Sequence, residues 1–368
     1  MNDERSPTHS PLSRAVSRRQ VLLGLSAVGG IGAVTVGGYG YARGVLTPQE
    51  LTSSRFADRF ETVFGQHDGF RRNHAKGLSA SGYFTSNGAG AAVSTAAVFS
   101  PGRIPVTGRF SLSGGLPCAP DGDAVVRGMA LLFSLPNGEQ WRTAMVNIPV
   151  FLDSTPQNFV DRLLVSKPDP ETGKPDPRKL KEYLSDHPET VAAMKLVHQQ
   201  PPSSGFENST FHGLNAFGFT NEAGKTVPVR WKMLPEQPVK PATPPQPSGQ
   251  DYLFESLIRA TADTSLQWRL ILTIGEPEDQ TNDATKPWPD DRKTKDVGTL
   301  TLDSVQTEDR GNARDINFDP LILPEGITAL DDPLLNARSS VYARSFARRT
   351  SESKQPSKIK VEEVLDEH

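Results

Sequence analysis

The chain has 368 residues, with 40 Lys and Arg against 43 Asp and Glu and a formal charge of −3. That balance excludes a protein that holds nucleic acid mainly through a basic field, and a single cysteine, Cys118, excludes an internal disulfide and any cysteine-rich zinc or iron–sulfur site. Hydrophobic residues at 36% are enough for a core, while 31 Gly and 31 Pro indicate many turns rather than a helical bundle. Cys118 itself reads as a buried small hydrophobe rather than a reactive thiol.

In chain order, residues 1–19 are polar with Arg14, Arg18 and Arg19, and 21–42 are Gly-rich and uncharged, the anatomy of an export signal. The run Ser17-Arg18-Arg19-Gln20-Val21-Leu22-Leu23 is similar to the twin-arginine consensus, with Val21 where that pattern prefers Phe and Leu23 where it often has Lys. The expectation is a signal segment over 1–42, cleaved near Ala42, that hands the chain to the twin-arginine machinery and places it in the periplasm or outside the cell. A retained anchor is the alternative, since about 20 apolar residues span a bilayer, although the glycines weaken it. The twin-arginine route carries folded proteins, which suits a chain that takes up a cofactor first.

Short apolar or alternating runs predict strands at 79–85, 104–113, 125–135, 140–146, 214–220, 226–234, 266–275 and 297–305. Helical periodicity predicts helices at 156–166, 178–199, 251–263 and 333–347, the last capped by Asp332 with Pro333 in its first turn. The class is α+β with an antiparallel sheet, a barrel or a sandwich. Six prolines make 235–249 an extended loop, and the charged, aromatic-poor stretch 350–368 reads as a disordered polar tail after a folded domain over 43–349. Ser351-x-x-Lys354 has an acyl-enzyme spacing but no apolar support for a pocket. His187 and His198 read as solvated helix residues, and His67 lacks metal-ligand partners at a suitable spacing.

Chemistry concentrates in Phe70-Arg71-Arg72-Asn73-His74-Ala75-Lys76-Gly77 and the following Gly82-Tyr83-Phe84. This stretch resembles the distal segment of haem catalases. Further stretches follow in that family's order: Arg109-Phe110-Ser111, Arg127-Gly128-Met129-Ala130, Asn147-Ile148-Pro149-Val150-Phe151, Phe318-Asp319-Pro320, and Asp332-Pro333 through Arg338 to Tyr342. The resemblance covers about 55–349 and implies an antiparallel eight-stranded β-barrel of the haem-catalase type with surrounding helices. Only 26 residues follow Tyr342, so the C-terminal helical domain of full-size catalases is expected to be lacking.

The resemblance also implies haem b (iron protoporphyrin IX) as cofactor, with Tyr342 as the metal ligand. Tyrosine is the catalase ligand that general haem chemistry already names. Arg338 and Tyr342, four apart, share one helix face, and a guanidinium near a phenol favours its ionised form. His74 is implied as the acid–base residue, Asn147 as a hydrogen-bond donor to peroxide, and Ser111 as the partner of the other imidazole nitrogen. Arg71, Arg109 and Arg349 match positions that neutralise the propionates, and Phe151 matches an aromatic packed on the haem.

Departures from full-size catalases shape the expected activity. Asn73 and Ser113 stand where valines are usual, and Asn215 replaces a proximal-side His while Asp332 is kept. A polar, less enclosed pocket favours peroxidase turnover with peroxide and small organic reductants over disproportionation of hydrogen peroxide. Two alternatives use the same fold: a fatty-acid hydroperoxide lyase or isomerase, and a non-enzymatic haem carrier. A monomer or dimer is expected rather than the large-catalase tetramer.

Overall fold

The computed structural model describes residues 51–366 apart from 124–125, 201–202 and 239–248. The signal segment 1–42 and most of the Pro-rich loop lie outside the described residues. All eight predicted strands form: β1 (Gly77–Ser86), β2 (Gly102–Leu112), β3 (Arg127–Ser134), β4 (Gln140–Val146), then β6 (Phe217–Thr220), β7 (Thr226–Pro235), β8 (Leu266–Ile274) and β9 (Thr294–Gln306). Two short strands escaped the sequence pattern, β5 (Phe211–His212) and β10 (Ile327–Ala329), because two or three residues carry no measurable alternation. β5 matters nonetheless, since it links β4 to β7, and the β7–β8 pairing then closes an antiparallel barrel.

Alternation sorts the strand side chains into two sets. Phe110 of β2 lies opposite Met129 of β3, which lies opposite Met145 of β4, and Phe133 lies opposite Trp141, all buried within the barrel core. The interleaved residues face outward, and several neighbouring ones are small: Ser111 lies opposite Gly128, and Ala130 lies opposite Ala144 on one side and Arg109 on the other. This shallow outer patch is where another body can approach the barrel closely.

Helices accompany the barrel: α1 (Ser53–Phe64), α2 (Pro156–Val165), α3 (Pro177–Asp186), α4 (Pro188–His198), α5 (Tyr252–Asp263), α6 (Pro333–Ser351) and α7 (Val361–Asp366). The single helix expected over 178–199 is two, because Pro188 pushes His187 to ψ 70° and breaks the ladder. Asp332 caps α6 as expected, its Oδ1 accepting from Leu334 N at 2.8 Å. α1 was not foreseen, although Phe56, Phe60 and Phe64 recur at four-residue spacing. Phe56 and Phe60 pack with Val160 of α2 and Val341 of α6, with Phe64 and Phe159 alongside.

Two expectations are corrected. The tail is ordered through Asp366: Ile359 is buried in the main core and Val361 and Val364 pack against it, so three aliphatic residues in a charged stretch suffice to dock it. Glu352 anchors its start by accepting from Gly69 N at 2.9 Å and from Arg72 Nη1 at 2.9 Å. Cys118, expected to be buried, is exposed, because it sits in the turn that follows β2 rather than in a strand.

Lys76, although part of the sequence motif, serves the fold. It is buried with its Nζ 2.5 Å from both Asp121 and Asp251, tying the start of β1 to the approach to α5. Lys76→Met strands the buried Asp121 carboxylate, so a loss of about 3–5 kcal/mol is expected in urea unfolding.

Candidate active site

A cavity lies between the outer barrel patch and α6, with an empty volume of about 1170 Å³ that includes its open mouth. Its barrel wall includes Arg109, Ser111, Gly128, Ala130, Ala144 and Val146. From α6 come Leu334, Arg338, Val341, Tyr342, Ser345 and Arg349, one face at helical spacing. Of the residues expected from the sequence, Arg71, His74, Arg109, Ser111, Phe151, Arg338, Tyr342 and Arg349 line this one cavity. Asn147 does not. Its Oδ1 accepts from Arg127 N at 2.8 Å and its own N–H donates to Arg127 O at 3.0 Å, so it pins the β3–β4 end instead of forming the wall.

His74 is held by its backbone and by its ring. Its φ of 58° is unusual for a residue with a side chain. The Asn73 Oδ1 stabilises that turn by accepting from His74 N at 3.0 Å and Gly114 N at 2.8 Å. That oxygen is therefore engaged by backbone, although Asn73 also lines the cavity. Nδ1 of His74 is 3.1 Å from Ser111 Oγ, which leaves Nε2 as the nitrogen free of that contact. Burial first, then the Arg109, Arg338 and Arg71 charges, push the imidazole down to about 3, so it is a neutral base near pH 7.

On the α6 side, Arg338 Cζ stands 5.8 Å from the Tyr342 ring centroid and 5.4 Å from that of Phe151. Its Nη1 donates to Asn215 Oδ1 and its Nη2 to Ala144 O at 2.7 Å. Asn215 in turn donates to Asp332 Oδ2 at 2.7 Å. A tight turn sets Asn215: Leu214 has φ 64°, and Asn215 N donates to Gly213 O at 2.8 Å. Asp332 thus caps α6 with one oxygen and steadies the Asn215–Arg338 chain with the other.

The rim is cationic. Arg71, Arg109 and Arg349 meet the cavity. Arg71 is held well below its ordinary value by burial and then by the Arg349 and Arg109 charges, and Arg349 is lowered to about 10 by burial and then by Arg109. Such crowding of buried positive charge calls for anions. Arg72, which the motif did not single out, also reaches the wall. It is buried and paired with Glu61 at 2.7 Å and with Glu352, joining α1 to the tail.

These residues fit a haem. A Cβ on Gly128 would crowd Ser111 Oγ at 2.8 Å and the His74 ring at 3.3 Å, so glycine keeps the wall beside His74 flat. Alanines at 130 and 144 continue that flatness, a phenol oxygen is a donor suited to ferric iron, and the arginine rim suits two carboxylates.

The histidines whose pKa is lowered also predict acid sensitivity. His212 on β5 is lowered to about 4 by burial and then by Lys232, so below about pH 6.5 the unfolded chain takes up a proton that the folded one refuses. Stability is therefore expected to fall as pH drops from about 6.5 toward 4. In urea melts, His212→Gln should make that decline shallower.

A closed barrel with a helix-covered, arginine-rimmed slot between a neutral imidazole and a tyrosine defines a barrel-borne oxidoreductase of the haem-binding kind. The model of the family described as Catalase matches residues 63–363, and the chain belongs to the catalase family, whose members act on peroxide. It is 38% identical over 327 residues to a catalase-related peroxidase of Synechococcus elongatus, covering 88% of this chain and 94% of that one. It is 30% identical over 304 residues to a catalase-related peroxidase of Mycolicibacterium paratuberculosis, covering 82% and 95%. Among solved structures it resembles catalase A from Saccharomyces cerevisiae, with TM-score 0.68 and 21% identity, covering 82% of this chain but 65% of the yeast one.

Proposed function

We propose that this protein is a haem b-dependent peroxidase that reduces hydrogen peroxide or organic peroxides with small organic electron donors, with disproportionation of hydrogen peroxide as a minor activity. The observation that carries this reading is the meeting of His74, Tyr342 and three rim arginines in one cavity. Its likeness to two catalase-related peroxidases over nearly their whole length supports the peroxidase emphasis. We also propose that the chain reaches the periplasm through the twin-arginine route, on the basis of residues 17–23, and works as a monomer or dimer.

When bound, haem supplies a ferric iron able to accept the oxidising equivalents of a peroxide and pass them to donors singly. Tyr342 Oη would hold that iron, and Arg71, Arg109 and Arg349 would hold the propionates. His74 Nε2 takes the proton from the near oxygen of the peroxide and returns it to the far oxygen, which leaves as water or alcohol. With Nδ1–H donating to Ser111 Oγ, Nε2 is the basic nitrogen, and the 3.1 Å contact suits that tautomer. Arg338 places a fixed positive charge beside the Tyr342 ring, while Asn215 and Asp332 keep that guanidinium in place.

The test is reconstitution of the mature protein with haem, followed by assay with hydrogen peroxide and an oxidisable dye. A Soret band with dye oxidation is expected; absence of either overturns the reading. Rearranged oxylipins from a fatty-acid hydroperoxide, without donor oxidation, would instead identify a lyase or isomerase.

A further inference from the structure

Glu308 lies two residues beyond β9 and takes no part in the chemistry above. It is buried, does not line the cavity, and stands behind Arg109 with both oxygens engaged: Oε1 is 2.8 Å from Nε and Oε2 is 2.9 Å from Nη2. The other two rim arginines have no such partner. Arg71 donates to Ala313 O at 2.8 Å and Ile316 O at 3.1 Å, and Arg349 donates to Arg314 O and to Ile316 O at 2.9 Å. Carbonyl oxygens satisfy N–H groups but cancel no charge. The rim therefore carries three guanidinium charges against one carboxylate, two positive charges in excess.

Arg72, also on the wall, is matched by Glu61 and Glu352. Asp315, which faces Arg349, is taken by Lys354 at 2.7 Å. Arg314 lies outside the cavity wall, donates to Gln355 O and covers the Phe70 ring.

We propose that Glu308 is a specificity-determining residue that sets how many acid groups the cavity takes. By cancelling one of the three guanidinium charges on the rim and gripping Arg109 from behind, it leaves a rim that becomes neutral with a ligand edge bearing two carboxylates. This rests on the haem reading above. With Glu308 neutral, the rim carries three positive charges, the empty slot becomes less stable, and each ligand carboxylate is drawn in more strongly.

The experiment titrates full-length apo-protein with iron protoporphyrin IX and with its dimethyl ester, which lacks the two charges, reading the Soret band and the ligand-induced rise in Tm without any turnover. The wild type should prefer the diacid. Glu308→Gln should widen the diacid-to-ester affinity ratio on the order of tenfold, because one more buried positive charge faces both carboxylates, whereas Glu308→Asp should keep the wild-type ratio. An unchanged or narrower ratio in Glu308→Gln, or an equal change in Glu308→Asp, overturns the proposal, since orientation alone would then explain the residue.

Should apo Glu308→Gln fail to fold, two other variants decide. Arg349→Gln should narrow the ratio and Glu308→Gln with Arg349→Gln should restore it; failure to restore it also overturns the proposal. A wild type that binds neither porphyrin defeats the haem reading itself, whereas normal haem binding with a charge-independent ratio defeats only the role of Glu308.

Discussion

His74→Ala is expected to cut kcat/KM for peroxide by about 10²- to 10⁴-fold, the usual worth of a positioned acid–base group, with haem content unchanged. Haem would be held by Tyr342 and the arginine rim, none of which depends on the imidazole. What the variant loses is a base kept neutral by burial and by three arginines. The propionates would offset the arginine part of that effect, but burial, its largest cause, remains. A stopped-flow measurement of peroxide consumption checks the outcome. Between pH 7 and pH 5 the wild-type rate should show no loss from His74 protonation, because an imidazole lowered to about 3 is still a free base there. A variant that keeps near-wild-type turnover would instead favour the haem-carrier alternative.

The residues explain which features were legible in the sequence. Barrel strands such as β2 and β4 carry long alternation, so the sequence shows both their existence and their outward faces. The Arg338–Tyr342 spacing could be read as one helix face because α6 is long and capped by Asp332. Local pattern could not show that Asn147 turns its oxygen to Arg127, since that depends on how the β3 and β4 ends meet. Glu308 was invisible for a related reason. An acid after a strand reads as loop polarity unless it is known to lie behind a buried arginine. The tail misled by composition, because its charged residues outnumber the few aliphatics that dock it.

Tyr342→Phe should separate holding the macrocycle from ligating its iron. The phenyl ring keeps its place on α6, half-buried and facing Arg338, so global stability should change by less than about 1 kcal/mol. The three rim arginines and the flat wall at Gly128, Ala130 and Ala144 are untouched, so some porphyrin binding should persist. Removing Oη takes away the one protein atom proposed to reach the iron. Weaker retention of haem, a displaced Soret maximum and a turnover loss of about 10²-fold or more are the expected results, measured by haem transfer to an acceptor protein, absorption spectroscopy and dye oxidation. Arg338→Ala should fall between this variant and the wild type, because it removes the cation beside the ring while keeping the oxygen. If Tyr342→Phe bound and used haem as the wild type does, the ligand would have to come from elsewhere, and the α6 face would lose its assigned role.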